Sequence, residues 1–131
     1  MKINCNHHIE SFCREDAINN EYHPLTNVPL ELDGDYWFLY RYPLSVKVAI
    51  PHLFTSQQSS IDILMLAKKD YQDIYAAEDA AVGKTENIPG MLNRDTSAGP
   101  YGIWGHCLSD LYFETIHIDN AEKIISFDIG S

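Results

Sequence analysis

Leu111-Tyr112-Phe113-Glu114-Thr115-Ile116-His117-Ile118 and Lys123-Ile124-Ile125-Ser126-Phe127-Asp128-Ile129, separated by Asp119-Asn120-Ala121-Glu122, are two β-patterned runs joined as a hairpin of the longer-loop type. Ile125, Phe127 and Ile129 alternate with Ser126 and Asp128, which gives the second strand one buried face. Upstream, Tyr36-Trp37-Phe38-Leu39-Tyr40-Arg41-Tyr42 is dense in β-preferring aromatics. Val46-Lys47-Val48-Ala49-Ile50 follows after Pro43, which limits pairing at that point. Two strands, or one bent strand, fit this stretch. Asp33-Gly34 marks the turn before it, and Pro24, Asn27 and Pro29 an extended connection leading to Leu30 and Leu32.

Between the aromatic strand and the hairpin, Ile61 to Ala81 reads as a helix. Ser59 or Ser60 supplies the N-cap, and Ile61, Leu64, Met65, Tyr71 and Ile74 or Tyr75 fall on one side. A competing reading makes Ile61-Asp62-Ile63-Leu64-Met65-Leu66 a buried strand and starts the helix near Asp70; Gly83 stops it in either case. Ile9, Phe12, Cys13 and Ile18 are spaced for a short N-terminal helix. Residues 84–105, with Gly90, Gly99, Gly102, Gly105, Pro89 and Pro100, make the longest irregular stretch. No segment repeats and no linker divides the chain. The expectation is a single domain, residues 1–131, of α+β class: a mostly antiparallel sheet with a C-terminal hairpin and one main helix packed on it.

Nineteen Asp and Glu against nine Lys and Arg leave a formal net charge of −10, with an isoelectric point near 4.8. Such a charge repels nucleic acid and anionic membrane surfaces and favours a basic protein as partner. The 45% of hydrophobic residues separate the chain from disordered acidic sequences, so the acidity belongs to a folded surface. Met1 to Phe12 contain no apolar run of the signal-peptide kind, and no stretch approaches the length of a membrane helix. Cys5, Cys13 and Cys107 are an odd set without framework spacing, as suits free thiols in a reducing compartment. A cytoplasmic protein is the expectation, with its oligomeric state left open.

Catalytic and metal motifs fail on their own terms. Cys5, His7, His8 and Cys13 are soft or borderline donors, but their spacing matches no finger or ribbon, and adjacent histidines in an extended chain point to opposite sides. The reading is an ordinary polar segment, with no metal and no cofactor. Gly83-Lys84-Thr85 resembles the end of a phosphate loop, yet the glycine needed upstream is replaced by Glu78. Gly99, Gly102 and Gly105 form neither a dinucleotide fingerprint nor a nucleophile elbow. Cys107, flanked by His106 and Asp110, keeps a cysteine-dependent hydrolase or transferase as an alternative, with His117 or His52 as a base supplied through the fold. No catalytic residue is assigned.

Two concentrations of carboxylates remain. Glu31, Asp33 and Asp35 line one side of an extended segment, and Asp70, Asp73, Glu78 and Asp79 share a broad side of the helix. A solvated acidic face needs no partner. The functional reading makes Glu31, Asp33, Asp35, Asp70 and Asp73 the partner-binding set, with Tyr40, Tyr42 or Tyr71 as exposed anchors. A further alternative is a structural subunit of a larger assembly, docking through Tyr36 to Tyr42.

In its small size, its acidity and the tail from Leu111 to Asp119 and from Ile125 to Ser131, the chain resembles the cytosolic immunity proteins of bacterial toxin systems, including those of contact-dependent growth inhibition. Such a resemblance implies a non-catalytic inhibitor that binds a cognate basic toxin, often a nuclease, and occludes its active or substrate-binding site. Immunity proteins differ widely in fold, so the resemblance leaves the architecture open.

Overall fold

The computed structural model describes residues 1–15, 28–55, 57–82 and 96–131. In chain order the elements are β1 (Lys2–His8), β2 (Pro29–Glu31), β3 (Gly34–Tyr40), β4 (Val48–Phe54), β5 (Gln57–Ser59), α1 (Ser60–Val82), a 3-10 turn (Leu108–Asp110), β6 (Tyr112–Asp119) and β7 (Ile124–Gly130). Five strands make the main sheet, in the order β1-β6-β7-β3-β4, while β2 and β5 pair in a separate ribbon. Among the described residues every strand pairing is antiparallel except β3 with β7, and the chain between those two includes α1. This is the α+β arrangement expected from the sequence, C-terminal hairpin included.

The helix begins with a capping box. Ser59 Oγ accepts from the Asp62 amide at 3.3 Å, and the Asp62 carboxylate accepts from the Ser59 amide at 3.0 Å. Residues 61–66 are therefore helical, which removes the buried-strand alternative. From there Ile61, Leu64, Ala67, Tyr71, Ile74, Tyr75 and Val82 are buried along one stripe. All of these but Val82 meet Tyr36, Phe38 and Tyr40 of β3, Phe113 and Ile116 of β6 and Ile125 of β7 in one core. At its centre the Tyr40 ring stacks on Phe127, with centroids 5.7 Å apart, and stands edge-on to Tyr71 at 5.0 Å. Ile125 is fully buried, whereas Phe127 and Ile129 are half-buried and Asp128 exposed, so the alternation expected for the last strand is present.

Two carboxylates of the helix point inward, against the expectation of an acidic outer face. Asp70 is only 6% exposed; its Oδ2 accepts from the Tyr40 hydroxyl and lies 2.7 Å from His52 Nε2 on β4. Glu78 is fully buried and accepts from the amides of Gly99 and Tyr101, at 2.9 and 2.8 Å, and from the Ser97 hydroxyl. A buried carboxylate is tolerable only with such partners. The close approach also accounts for Gly99: a Cβ there would stand 2.4 Å from Glu78 Oε1.

One further expectation needs correcting, and two others reach beyond the described residues. The chain begins with a strand, β1, whose register against β6 shifts between Asn4 and His7, where Asn6 adopts φ of 91°. Of the short helix expected from Ile9 to Ile18, Ile9 and Phe12 are buried beyond the strand end, Arg14 and Glu15 are helical, and Ile18 lies outside the described residues. Tyr40 and Tyr71 are core rings, not surface anchors, and only Tyr42 of the three proposed is exposed. Of the irregular stretch, residues 83–95 lie outside the described part; beyond it, isolated bridges join Thr96 to Trp104 and Leu44 to Ile103.

Burial pushes the hydroxyl pKa values of Tyr40, Tyr71 and Tyr75 upward; for Tyr40 the Asp70 charge and hydrogen bond add to it. Since all three are raised in the fold, the unfolded chain gives up these protons first. Stability is thus intact below the ordinary tyrosine value of about 10 and declines as pH rises past it. In an alkaline titration the tyrosinate absorbance of these groups is expected to appear together with loss of the near-ultraviolet dichroism. Ionisation of all eight tyrosines with that signal intact would contradict their burial.

Candidate functional site

Because directly paired residues on neighbouring strands share a face, the strand registers define the side of the sheet away from α1. Asp119, Ile124, Trp37 and Pro51 form one row across it, and His117, Ser126, Leu39 and Ala49 the next. Asp35 opposite Leu53 adds a third at the Gly34 end, since Asp35 precedes Trp37 by two residues. None of these residues is buried, whereas Phe38, Ile125 and Ile116 of the opposite side are. Among the described residues, no element packs over this face.

The exposed face carries large apolar side chains. Trp37 is 47% and Leu53 66% exposed, with Pro51 exposed between them on the neighbouring strand. Isolated exposed apolar residues are ordinary, but a contiguous group that includes a tryptophan is the composition of a protein-binding patch. Asp35 completes it at one edge. The aromatic run Tyr36 to Tyr42 thus divides between the two faces: Tyr36, Phe38 and Tyr40 are buried, and Trp37 is exposed.

The five carboxylates proposed as a binding set are not one surface. Asp35 lies on the open face. Asp33 is exposed on the turn before β3, where its backbone carbonyl accepts from Lys123 Nζ at 2.5 Å, and Gly34 follows with φ of 93°. Glu31 is exposed at the end of β2, in the small ribbon rather than the main sheet. Asp33 and Glu31 thus lie two and four residues before Asp35, in the segment that leads into the Gly34 end of β3, and no single strand aligns the three. Asp73 is exposed on α1, on the other side of the sheet, and is paired with Lys69 at 3.2 Å. Asp70 is interior and leaves the set, because its carboxylate is used by Tyr40 and His52.

The alternative site at Cys107 gains nothing from the geometry. Cys107 precedes the 3-10 turn, its amide donates to the Asp110 carboxylate at 3.1 Å, and the neighbouring His106 carbonyl accepts from the Tyr75 hydroxyl at 2.7 Å. Desolvation first, then the charges of Asp110 and Glu10, push the Cys107 thiol above its ordinary value, the reverse of what a nucleophile needs. Burial pushes Cys5 up to about 11. His7 stands edge-on to Phe12 and His8 to Tyr112, so the two rings serve different neighbours. Among the described residues no group of three or more His, Cys, Asp or Glu side chains is placed to hold a metal ion, and no helix is long and apolar enough to cross a membrane.

Comparison of the chain with family models, with curated proteins and with solved structures finds no match. The site therefore rests on its own chemistry. For Cys107, the rate of thiol alkylation is expected to rise at a higher pH than for a free cysteine, whose thiol has a pKa near about 8.5. A rate already at its plateau at neutral pH would restore the cysteine-enzyme reading.

Proposed function

We propose that the chain is a non-catalytic inhibitor that docks a basic protein through the open face of its sheet. The observation that carries this reading is the joint exposure of Asp35, Trp37 and Leu53 on one face, with Asp33 and Glu31 in the segment that leads into its Gly34 end. Tryptophan in the middle of a patch supplies binding energy by burying a large rigid ring, and carboxylates at its edge set orientation and speed of encounter. A formal charge of −10 adds long-range attraction for a cationic partner and repels nucleic acid, whose binding surface on such a partner the acidic chain would occupy. The resemblance to cytoplasmic immunity proteins makes a toxin domain, nuclease toxins foremost, the partner of this reading. Inhibition then follows from covering the toxin's substrate-binding surface, and no cofactor takes part.

Three variants separate this reading from general stickiness when used as bait in lysates of the source cells. Asp33→Lys with Asp35→Lys should slow association about ten-fold at low salt and flatten its salt dependence. Trp37→Ala should weaken retention by about 2 kcal/mol or more. Asp73→Lys, on the helix, should retain the same basic protein as the unaltered chain. Equal retention by all three would remove the open face from the interaction.

A further inference from the structure

Arg41 and Lys47 close the other end of the open face. Tyr40 and Val48 are the last paired residues of β3 and β4 and belong to the buried side, so the next positions outward, Arg41 and Lys47, fall on the side of Leu39 and Ala49. Both are exposed, and they line a cleft of about 650 Å³ together with Leu39, Ile124, Ser126 and His117. Among the described residues neither side chain has a hydrogen-bond or ion-pair partner. The cleft is also lined by two exposed carboxylates, Asp128, whose Oδ2 lies 2.8 Å from His117 Nε2, and Asp119, whose Oδ1 accepts from the Glu122 amide at 3.0 Å; neither forms an ion pair with Arg41 or Lys47. In a chain with more than twice as many acids as bases, two neighbouring cations that bond neither carboxylate of their cleft are set up to hold an anion.

We propose that this cleft binds a small organic oxyanion, a carboxylate or a phosphomonoester, with its head between Arg41 and Lys47. The planar guanidinium grips two oxygens of either group, and the ammonium adds a point charge. The body of the ligand lies over Leu39 and Ile124, with the Ser126 hydroxyl and His117 ring at its edge; the volume suits a small molecule. The inference requires no macromolecular partner and stands or falls apart from the inhibitor reading.

Phenyl phosphate and benzoate are the probes, titrated into the full chain while the amide resonances of Leu39, Ile124 and Ser126 are followed by NMR. Saturable shifts at these residues are expected for at least one probe, with a dissociation constant on the order of 1 mM. Arg41→Gln should weaken binding about ten-fold, the loss of one charge-assisted contact, and Arg41→Gln with Lys47→Gln should abolish it. Tighter binding of phenyl phosphate assigns the site to phosphomonoesters, and tighter binding of benzoate assigns it to carboxylates. Both substitutions are at exposed positions where neither side chain has a bonding partner among the described residues, so the double variant should keep the fold of the unaltered chain. Absence of saturable shifts with both probes, or affinity unchanged in both single variants Arg41→Gln and Lys47→Gln, would overturn the proposal.

Discussion

Among the described residues, one long helix against one face of a five-stranded sheet is the constraint from which the remaining features follow. The aromatic and aliphatic side chains of α1, β3, β6 and β7 bury one another on that side. Burial of this kind stabilises in proportion to the apolar area removed from water, and here it is concentrated in a layer one helix deep. The reverse side of the same strands, described by Trp37, Leu39, Ile124 and Pro51, has no such cover among the described residues. Alternation along each strand then forces a division of labour: every second residue serves the core, and its neighbour is available for recognition.

Polar tethers fix the helix in position on its covered side. Asp70 joins α1 to both β3 and β4 through Tyr40 and His52, and Glu78 joins it to residues 97–101. Apolar packing alone is non-directional, whereas these contacts demand one placement of the helix, since a carboxylate displaced from its donors would be left buried and unpaired. The raised hydroxyl pKa of Tyr40 keeps that group a donor toward Asp70 across the neutral range. Two of the acidic residues are thus structural, and the outward-facing acidity includes Asp73 and Asp79 of the helix, Asp33 and Asp35 at the Gly34 end of the sheet, and Asp110 and Asp128 away from both.

The elements legible in the sequence were those whose signal is local. The terminal hairpin shows strict alternation around a turn-rich connection, and α1 has a serine cap three residues before Asp62. β1 was not legible, because Lys2 to His8 is polar in composition and becomes a strand through pairing with β6. The roles of Asp70 and Glu78 were misread as surface charge. A signal was present, since Ala67, Tyr71, Ile74, Tyr75, Glu78 and Val82 follow one helical stripe, and a carboxylate within a buried stripe marks a tether. The alignment of Glu31, Asp33 and Asp35 assumed one continuous strand, which the left-handed Gly34 and the change of sheet interrupt. The open face itself depends on strand order, a long-range property that no window of sequence reports.

The account's central claim is that recognition belongs to the uncovered side of the sheet at its Gly34 end. Carbodiimide footprinting of surface carboxylates, read by mass spectrometry with and without a bound basic partner, tests it most directly. Protection confined to Glu31, Asp33 and Asp35, with Asp73 and Asp79 on the helix labelled as before, is the predicted result. Protection of Asp73 and Asp79 with Asp35 still fully labelled would place the interface on the helix and contradict the account.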